Sequence, residues 1–279
     1  MNRKCASITV LADNLAKEGL AAEHGLSFLI RMFGHSVLCD TGQGGTLFAN
    51  AKALGVDLTQ PELLVLSHGH YDHTGGLPEL LRINPGLTVC CHPGIAMRHL
   101  CLHPGQPVKD ISMPGPAQQA LASLPAIQRR MTDRPLELLP GMFVTGEIPR
   151  QTSFEDTGGP FFLDPQGRVP DPIRDDLSVW IETPAGLVIV LGCCHSGLVN
   201  TVEFIRAASR IDRIRGIIGG MHLLHASEER LERTCEKLKE WSPEFVIPCH
   251  CTGEEAVAFM QSRVGACVRP GFAGMTFSV

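Results

Sequence analysis

Between Ser67 and Leu77 the chain reads SHGHYDHTGGL, which puts His68, His70, Asp72 and His73 within six residues and follows them with a glycine pair. Imidazole nitrogens and carboxylate oxygens are ligands for zinc and neighbouring transition metals, and a catalytic metal takes about three protein ligands and keeps a position open. Four candidates are too many for one such centre. His68 and His70 alternate and can point one way while the adjacent Asp72 and His73 point another, which fits two metals sharing one loop. Each metal then needs a further ligand from elsewhere in the chain.

Three later segments offer one: LVIVLGCCHSG carries His195, GIIGGMHLLH carries His222 and VIPCHCTG carries His250, each directly after an apolar run. His195 and His250 complete two sets of three ligands. His222 is read as a catalytic group that acts as general acid or meets the leaving group. Asp72 is read as catalytic too, a ligand that also orients the nucleophile. In SVLCDTG, Asp40 is placed either to accept the second ring proton of a metal-bound histidine or to make an Asx turn.

Elements able to position these residues are legible in the pattern. Apolar strand-like segments recur (ASITVLA, GLSFLIRMF, SVLCDTG, LLVLSH, TVCCHP, LSVWIET, GLVIVLGCC, IRGIIGG, FVIPCH) and alternate with helix-like stretches at Gly45 to Leu54, Leu77 to Leu81, Leu198 to Ala208 and Glu228 to Trp241, so the class is α/β. Ser227 is an N-cap candidate for the last helix, and Pro243 lies just past its end. The candidate ligands thus sit on loops after strands, where α/β folds place chemistry. A Pro-, Gly-, Gln- and Met-rich passage from about 94 to 140 reads as an excursion over a site, a lid. No repeat or linker forces a boundary, and residues 1–279 are expected to form a single domain.

Composition narrows the rest. With 24 basic against 29 acidic residues the net charge is −5, which supplies no basic field for nucleic acid or an anionic membrane. The opening MNRK followed by CASITVLA imitates a signal peptide, but the apolar run meets Asp13 and has no small-residue cleavage site, so it reads as a strand. No apolar run approaches the roughly 18–20 residues of a membrane span. The eleven cysteines, several in apolar contexts (Cys5, Cys39, Cys90, Cys91), read as reduced thiols. A soluble, cytoplasmic protein acting on a small-molecule substrate is the expectation, with homo-oligomerisation left open.

The strand-end DTG at Asp40, the HxHxDH run from His68 to His73, a later strand-end ligand and a last histidine at His250 together resemble the metallo-β-lactamase-fold superfamily. LADN, AAEHGLSFLI, LCDTGQGGTLFANAKALGVDL, GLVIVLGCCHSGLVNTVEF, IIGGMHL and PCHCTG are similar to one subgroup, whose members are often named dihydropterin ribofuranosyl-aminobenzene phosphate synthases. The resemblance implies an αββα sandwich with two divalent metal ions, zinc first, with manganese, iron or nickel as alternatives. It assigns His68 and His70 to one metal, and Asp72, His73 and His250 to the other. Where hydrolytic members carry GHT and GD, this chain has PIRDDLS and LGCCHSG. Cys193 takes the place of the usual bridging aspartate; His195 is read as the substitute ligand, with Cys193 as a thiolate and Asp175 as competing readings.

The implied activity is hydrolysis of a small-molecule ester, phosphoester or pterin-related, by a metal-activated water. An iron-dependent redox enzyme of the same fold and a non-catalytic sensor built on Cys193, Cys194, Cys249 and Cys251 are the alternatives. Arg98, Arg150 and Arg174 are candidate phosphate contacts, and Glu23 and His24 candidate lining of the site mouth.

Overall fold

The apolar runs fold as strands and gather into two mixed sheets, each within its own compact unit. The computed structural model describes residues 6–279; Cys5 and the four residues before it lie outside the described residues. One unit comprises the chain up to Met97, Ser112–Thr132 and Gly271–Val279, and the other Arg98–Ile111 and Asp133–Pro270.

In the first unit the seven-stranded sheet runs in the order Thr276–Ser278, Ser7–Ala12, Ser27–Met32, His35–Cys39, Leu63–Val65, Thr88–Cys91, Arg129–Met131. The strands are antiparallel up to His35–Cys39 and parallel from there on. Leu11, Leu29, Leu38, Leu64 and Val89 of the sheet pack with Leu47 and Ala51 of helix Gly45–Ala53, Leu77 and Leu80 of helix Leu77–Ile83, and Ala117 and Leu121 of helix Gly115–Ser123. Ser27–Met32 is buried at every residue but Arg31, which explains its nearly continuous apolar run.

The second unit holds a six-stranded sheet in the order Phe245–Cys249, Ile214–Gly220, Gly186–Leu191, Val179–Thr183, Met142–Val144, Leu136–Leu139. The first three strands are parallel. Trp180, Leu187, Ile189 and Ile217 pack with Val202 and Ile205 of helix Leu198–Ser209, Leu238 of helix Glu228–Trp241, and Met260 of helix Glu254–Val264. Phe143 stacks on Trp180 at 4.9 Å between ring centroids. A small sheet of Phe161–Phe162, Leu100–Cys101 and Lys109–Asp110 belongs to the same unit.

Ser227 caps Glu228–Trp241 as expected, its Oγ accepting from the Arg230 amide at 3.2 Å. About half of the passage from 94 to 140 is regular structure, including strands Leu100–Cys101, Lys109–Asp110, Arg129–Met131 and Leu136–Leu139 and helix Gly115–Ser123. Its polar, proline-rich texture conceals these because they are short and partly exposed. Among the described residues no helix is long and apolar enough to cross a membrane.

Candidate functional site

Both sheets bring their chemistry to the C-terminal ends of parallel strands. In the first unit, Asp40 follows His35–Cys39, and Ser67 to His73 follow the neighbouring Leu63–Val65. In the second, three adjacent parallel strands are in register at their tips, where Gly219 pairs with both Leu191 and Pro248, and Gly220 with Cys249. Cys193, His222 and His250 therefore emerge side by side. Asp40, Cys194, His222 and His250 all have φ between 45° and 59°. Left-handed backbone costs a non-glycine residue about 1 kcal/mol or more, and its concentration just past these strand ends marks a site where geometry has been favoured over local ease.

Asp40 organises the first unit's residues. Its Oδ1 accepts from the Ser67 amide at 2.7 Å, and its Oδ2 accepts from Ser67 Oγ and from His73 Nδ1, each at 2.7 Å. Ser67 gives its only hydroxyl proton to Asp40, so the 2.9 Å contact between Ser67 Oγ and His68 Nδ1 requires His68 to donate. One buried carboxylate thus fixes the proton on Nδ1 of two histidines and leaves the lone pair on Nε2 of each. Of the two readings of Asp40, the orienting one holds, not the Asx turn.

Thr41 and the glycines fasten the two loops together. The Thr41 amide and hydroxyl both donate to the His73 carbonyl, at 2.7 and 2.9 Å. Gly75 donates to the Gly42 carbonyl at 3.0 Å and Gly76 to Thr41 Oγ1 at 3.1 Å. A Cβ on Gly75 would lie 2.6 Å from the Gln43 carbonyl oxygen, and one on Gly76 would lie 2.7 Å from that of Thr41. The glycine pair after the histidines is there because backbone has to approach backbone.

His68 lies 4.4 Å from His70 and 4.2 Å from His73 between ring centroids, so the structure gathers the three imidazoles. All are buried, as is Asp72. Asp72 Oδ2 is 3.0 Å from Nε2 of the half-exposed His24, a contact between residues far apart in sequence that no pattern signalled. Glu23 instead secures its own loop, accepting from the Gln43 amide at 2.9 Å.

In the second unit, His195 donates from Nδ1 to the Thr157 carbonyl at 2.8 Å, which again leaves the lone pair on Nε2. Its ring lies 4.4 Å from that of His222, and Phe161 meets both edge-on, at 5.3 and 5.7 Å. Gly158, at φ 86°, sits directly against the His222 imidazole, where a larger residue could not fit. Ligand atoms of Cys193, His195 and His222 lie within 4.8 Å of one another, and so do those of Cys193, His250 and Cys251. These donor sets, with the His195 imidazole committed to Nδ1–H, suit a divalent transition metal.

Neighbouring charges hold this arrangement in place. Glu155 accepts from the Val199 and Asn200 amides at the start of helix Leu198–Ser209, at 2.8 and 2.9 Å. Burial still raises its pKa, against those bonds, Thr152 and the Arg230 charge. Asp176 accepts from the Ser196 amide at 2.8 Å and is pushed up to about 6 by burial.

Several candidates find other uses. Asp175 Oδ2 lies 3.7 Å from His99 Nε2, and His99 Nδ1 pairs with Asp171 at 2.5 Å, so Asp175 belongs to a buried acid–imidazole cluster. Burial alone would lower the His99 pKa, but hydrogen bonds and charge from Asp171 and Asp175 outweigh it and raise it to about 9. Arg150 donates to the His195 and Pro172 carbonyls, Arg98 pairs with Asp110 at 3.0 Å and Arg174 lies 3.8 Å from Glu147. These three guanidinium groups are engaged with the protein itself.

A sequence profile described as the metallo-β-lactamase superfamily matches residues 21–250. The chain belongs to the metallo-β-lactamase superfamily. Its fold class is α/β of the metallo-β-lactamase type. Among relatives, the 7,8-dihydropterin-6-methyl-4-(β-D-ribofuranosyl)-aminobenzene-5'-phosphate synthase of Methanocaldococcus jannaschii is 32% identical over 84% of this chain and 83% of its own. The solved structure of Tm1679, described as a metal-dependent hydrolase of the β-lactamase superfamily, superposes with a TM-score of 0.84 at 29% identity, covering 98% of this chain and 99% of that one. Zinc-bound PqqB of Methylobacterium extorquens, at a TM-score of 0.56, 13% identity and coverage of 98% and 100%, shares the superfamily's fold. Membership in this superfamily implies divalent metal binding, and the His, Asp and Cys groups above are the candidates for it.

Proposed function

We propose that the protein is a metal-dependent hydrolase of a small-molecule ester, phosphoester or pterin-related, with His68, His70, Asp72 and His73 of the first unit and His195 and His250 of the second as its metal ligands. Six ligands make two sets of three, the number that leaves each cation an open position. The observation that carries the reading is the commitment of Nδ1 protons at His68, His73 and His195, to Ser67, Asp40 and the Thr157 carbonyl. Imidazoles fixed in that tautomer present Nε2 as a donor. Zinc is the first choice for imidazole and carboxylate donors, with manganese, iron and nickel accommodated by the same set.

Bound cations supply Lewis-acid polarisation of the substrate oxygen and activation of water near neutral pH. Asp72, held by His24 at 3.0 Å, orients the attacking water through its carboxylate. His222, beside His195 and backed by Gly158, delivers a proton to the leaving group or binds it. The likeness to Tm1679, a metal-dependent hydrolase of the β-lactamase superfamily, supports this reading. The synthase name of the archaeal relative supports a second, in which the same centre serves the making of a pterin-related product.

The deciding experiment quantifies bound metals, records an absorption spectrum for iron, and screens phosphodiesters, phosphomonoesters, lactones and thioesters on one preparation. Hydrolysis of one ester class in proportion to metal occupancy is the expected result. A metal-replete protein inert to all four classes but forming a pterin-related product would overturn it in favour of the synthase. A folded, metal-replete His222→Ala protein with full turnover would remove His222 from the mechanism.

A further inference from the structure

The sequence pairs its cysteines as CC at Cys193–Cys194 and CHC at Cys249–Cys251, and the structure, which buries all four, gives the two thiols of each pair different neighbours. Cys194 turns to Thr201, with Sγ 3.4 Å from its hydroxyl, and burial holds its thiol well above the ordinary range. The Cys249 thiol donates to the Ile247 carbonyl at 3.5 Å, back along its own strand. Cys193 and Cys251 lie instead beside His250, the ligand atoms of all three within 4.8 Å of one another, with the Cys251 thiol donating to the Cys193 carbonyl at 3.6 Å. All three side chains are more than nine-tenths buried, at 3%, 6% and 8% exposure.

The close approach is built into the backbone. Gly220 donates to the Gly192 carbonyl at 2.9 Å, and a Cβ there would lie 2.7 Å from Cys251 Sγ and 3.2 Å from Cys193 Cα. Only glycine lets the tips of these strands close enough to bring the two sulfurs to one imidazole. Zn–S and Zn–N lengths of about 2.3 and 2.1 Å place tetrahedral ligands about 3.5–3.8 Å apart, so these atoms need close by at most about 1 Å.

We infer that Cys193, His250 and Cys251 form a thiolate-containing site for a thiophilic divalent cation such as zinc, cadmium or cobalt(II), carried by the second unit alone. Thiolate is the softest donor in the chain, and it biases the centre toward zinc over manganese. Each cysteine that ligates releases its proton to solvent on binding. The site needs none of the four ligands His68 to His73, although it shares His250 with the ligands proposed for the hydrolase, and its sulfur signature is read without any ester hydrolysis.

The test uses the full-length protein, reduced and freed of metal by chelation, titrated with cobalt(II) alone while near-ultraviolet sulfur-to-cobalt charge-transfer absorption is followed. The band is expected in the unaltered protein, in Cys194→Ala and in a His68→Ala, His70→Ala double variant. It is expected to vanish in Cys193→Ser, Cys251→Ser. Cobalt bound with an imidazole-only spectrum in the unaltered protein would overturn the inference, and so would a band that survives both serine substitutions. The ester screen reports separately: its failure removes the hydrolase reading whatever the cobalt spectrum, and a cobalt spectrum without sulfur leaves that reading standing.

Discussion

Replacing Asp40 with asparagine separates orientation from support, because the two amino acids have the same shape and opposite hydrogen-bonding character on one side. The asparagine carbonyl can still accept from the Ser67 amide. Its amino group, however, replaces the Oδ2 that accepts from both Ser67 Oγ and His73 Nδ1. Both partners can adapt only by reversing. Ser67 turns its hydroxyl toward His68, and His68 and His73 then each carry the proton on Nε2, where a metal would bind. The three bonds survive as neutral ones, so the metal-free protein loses about 2 kcal/mol, the difference between charge-assisted and neutral bonds. Metal affinity suffers far more. Each misoriented ligand weakens binding by about 10–100-fold, which for two histidines compounds to roughly 10²–10⁴. Asp40→Ala, by contrast, leaves buried donors without an acceptor and should cost about 5 kcal/mol of stability. Guanidinium unfolding of the metal-free variants and zinc competition against a chromophoric chelator give the two numbers. An asparagine variant that binds zinc as tightly as the unaltered protein would refute the argument that Asp40 sets these tautomers.

Other consequences follow from single residues. His99, raised to about 9 by Asp171 and Asp175, contributes stability that is complete below its unfolded pKa near 6.5 and is lost as pH rises through about 9. Unfolding free energy should therefore fall by up to ~3 kcal/mol across that window, and His99→Gln should flatten this part of the profile. Gly75→Ala should destabilise by about 1–3 kcal/mol, since its Cβ meets the backbone of Gln43 with no flexible side chain to yield, and chemical denaturation measures it. Ser227→Ala should cost about 1 kcal/mol and shift the thermal midpoint without changing metal content, because it removes only the bond from the Arg230 amide.

While helix Glu254–Val264 and strand Met142–Val144 went unread, the sequence by itself determined most of the longer strands, the helices at Leu198–Ser209 and Glu228–Trp241 and a set of candidate metal ligands. Those features are local: an apolar run such as LVIVL declares a buried strand wherever it packs, and His68 to His73 are chemically conspicuous at any register. It also supplied the superfamily resemblance, since a strand-end DTG and a following HxHxDH loop survive as linear text. The short strands between 94 and 140 escaped notice because two or three residues carry too little periodicity to read. What only the tertiary structure decided is how distant groups use one another. Asp40 reaches Ser67 and His73, His24 meets Asp72, Thr157 fixes the His195 tautomer, and Arg150 is spent on carbonyls. Cys193 and Cys194 are indistinguishable as neighbours in sequence, yet one lies beside His250 and the other turns toward Thr201. The physical reason is that hydrogen bonds and ligand sets depend on distances of about 3 Å between chain segments dozens of residues apart, and only the packing of strands against their neighbours sets those distances.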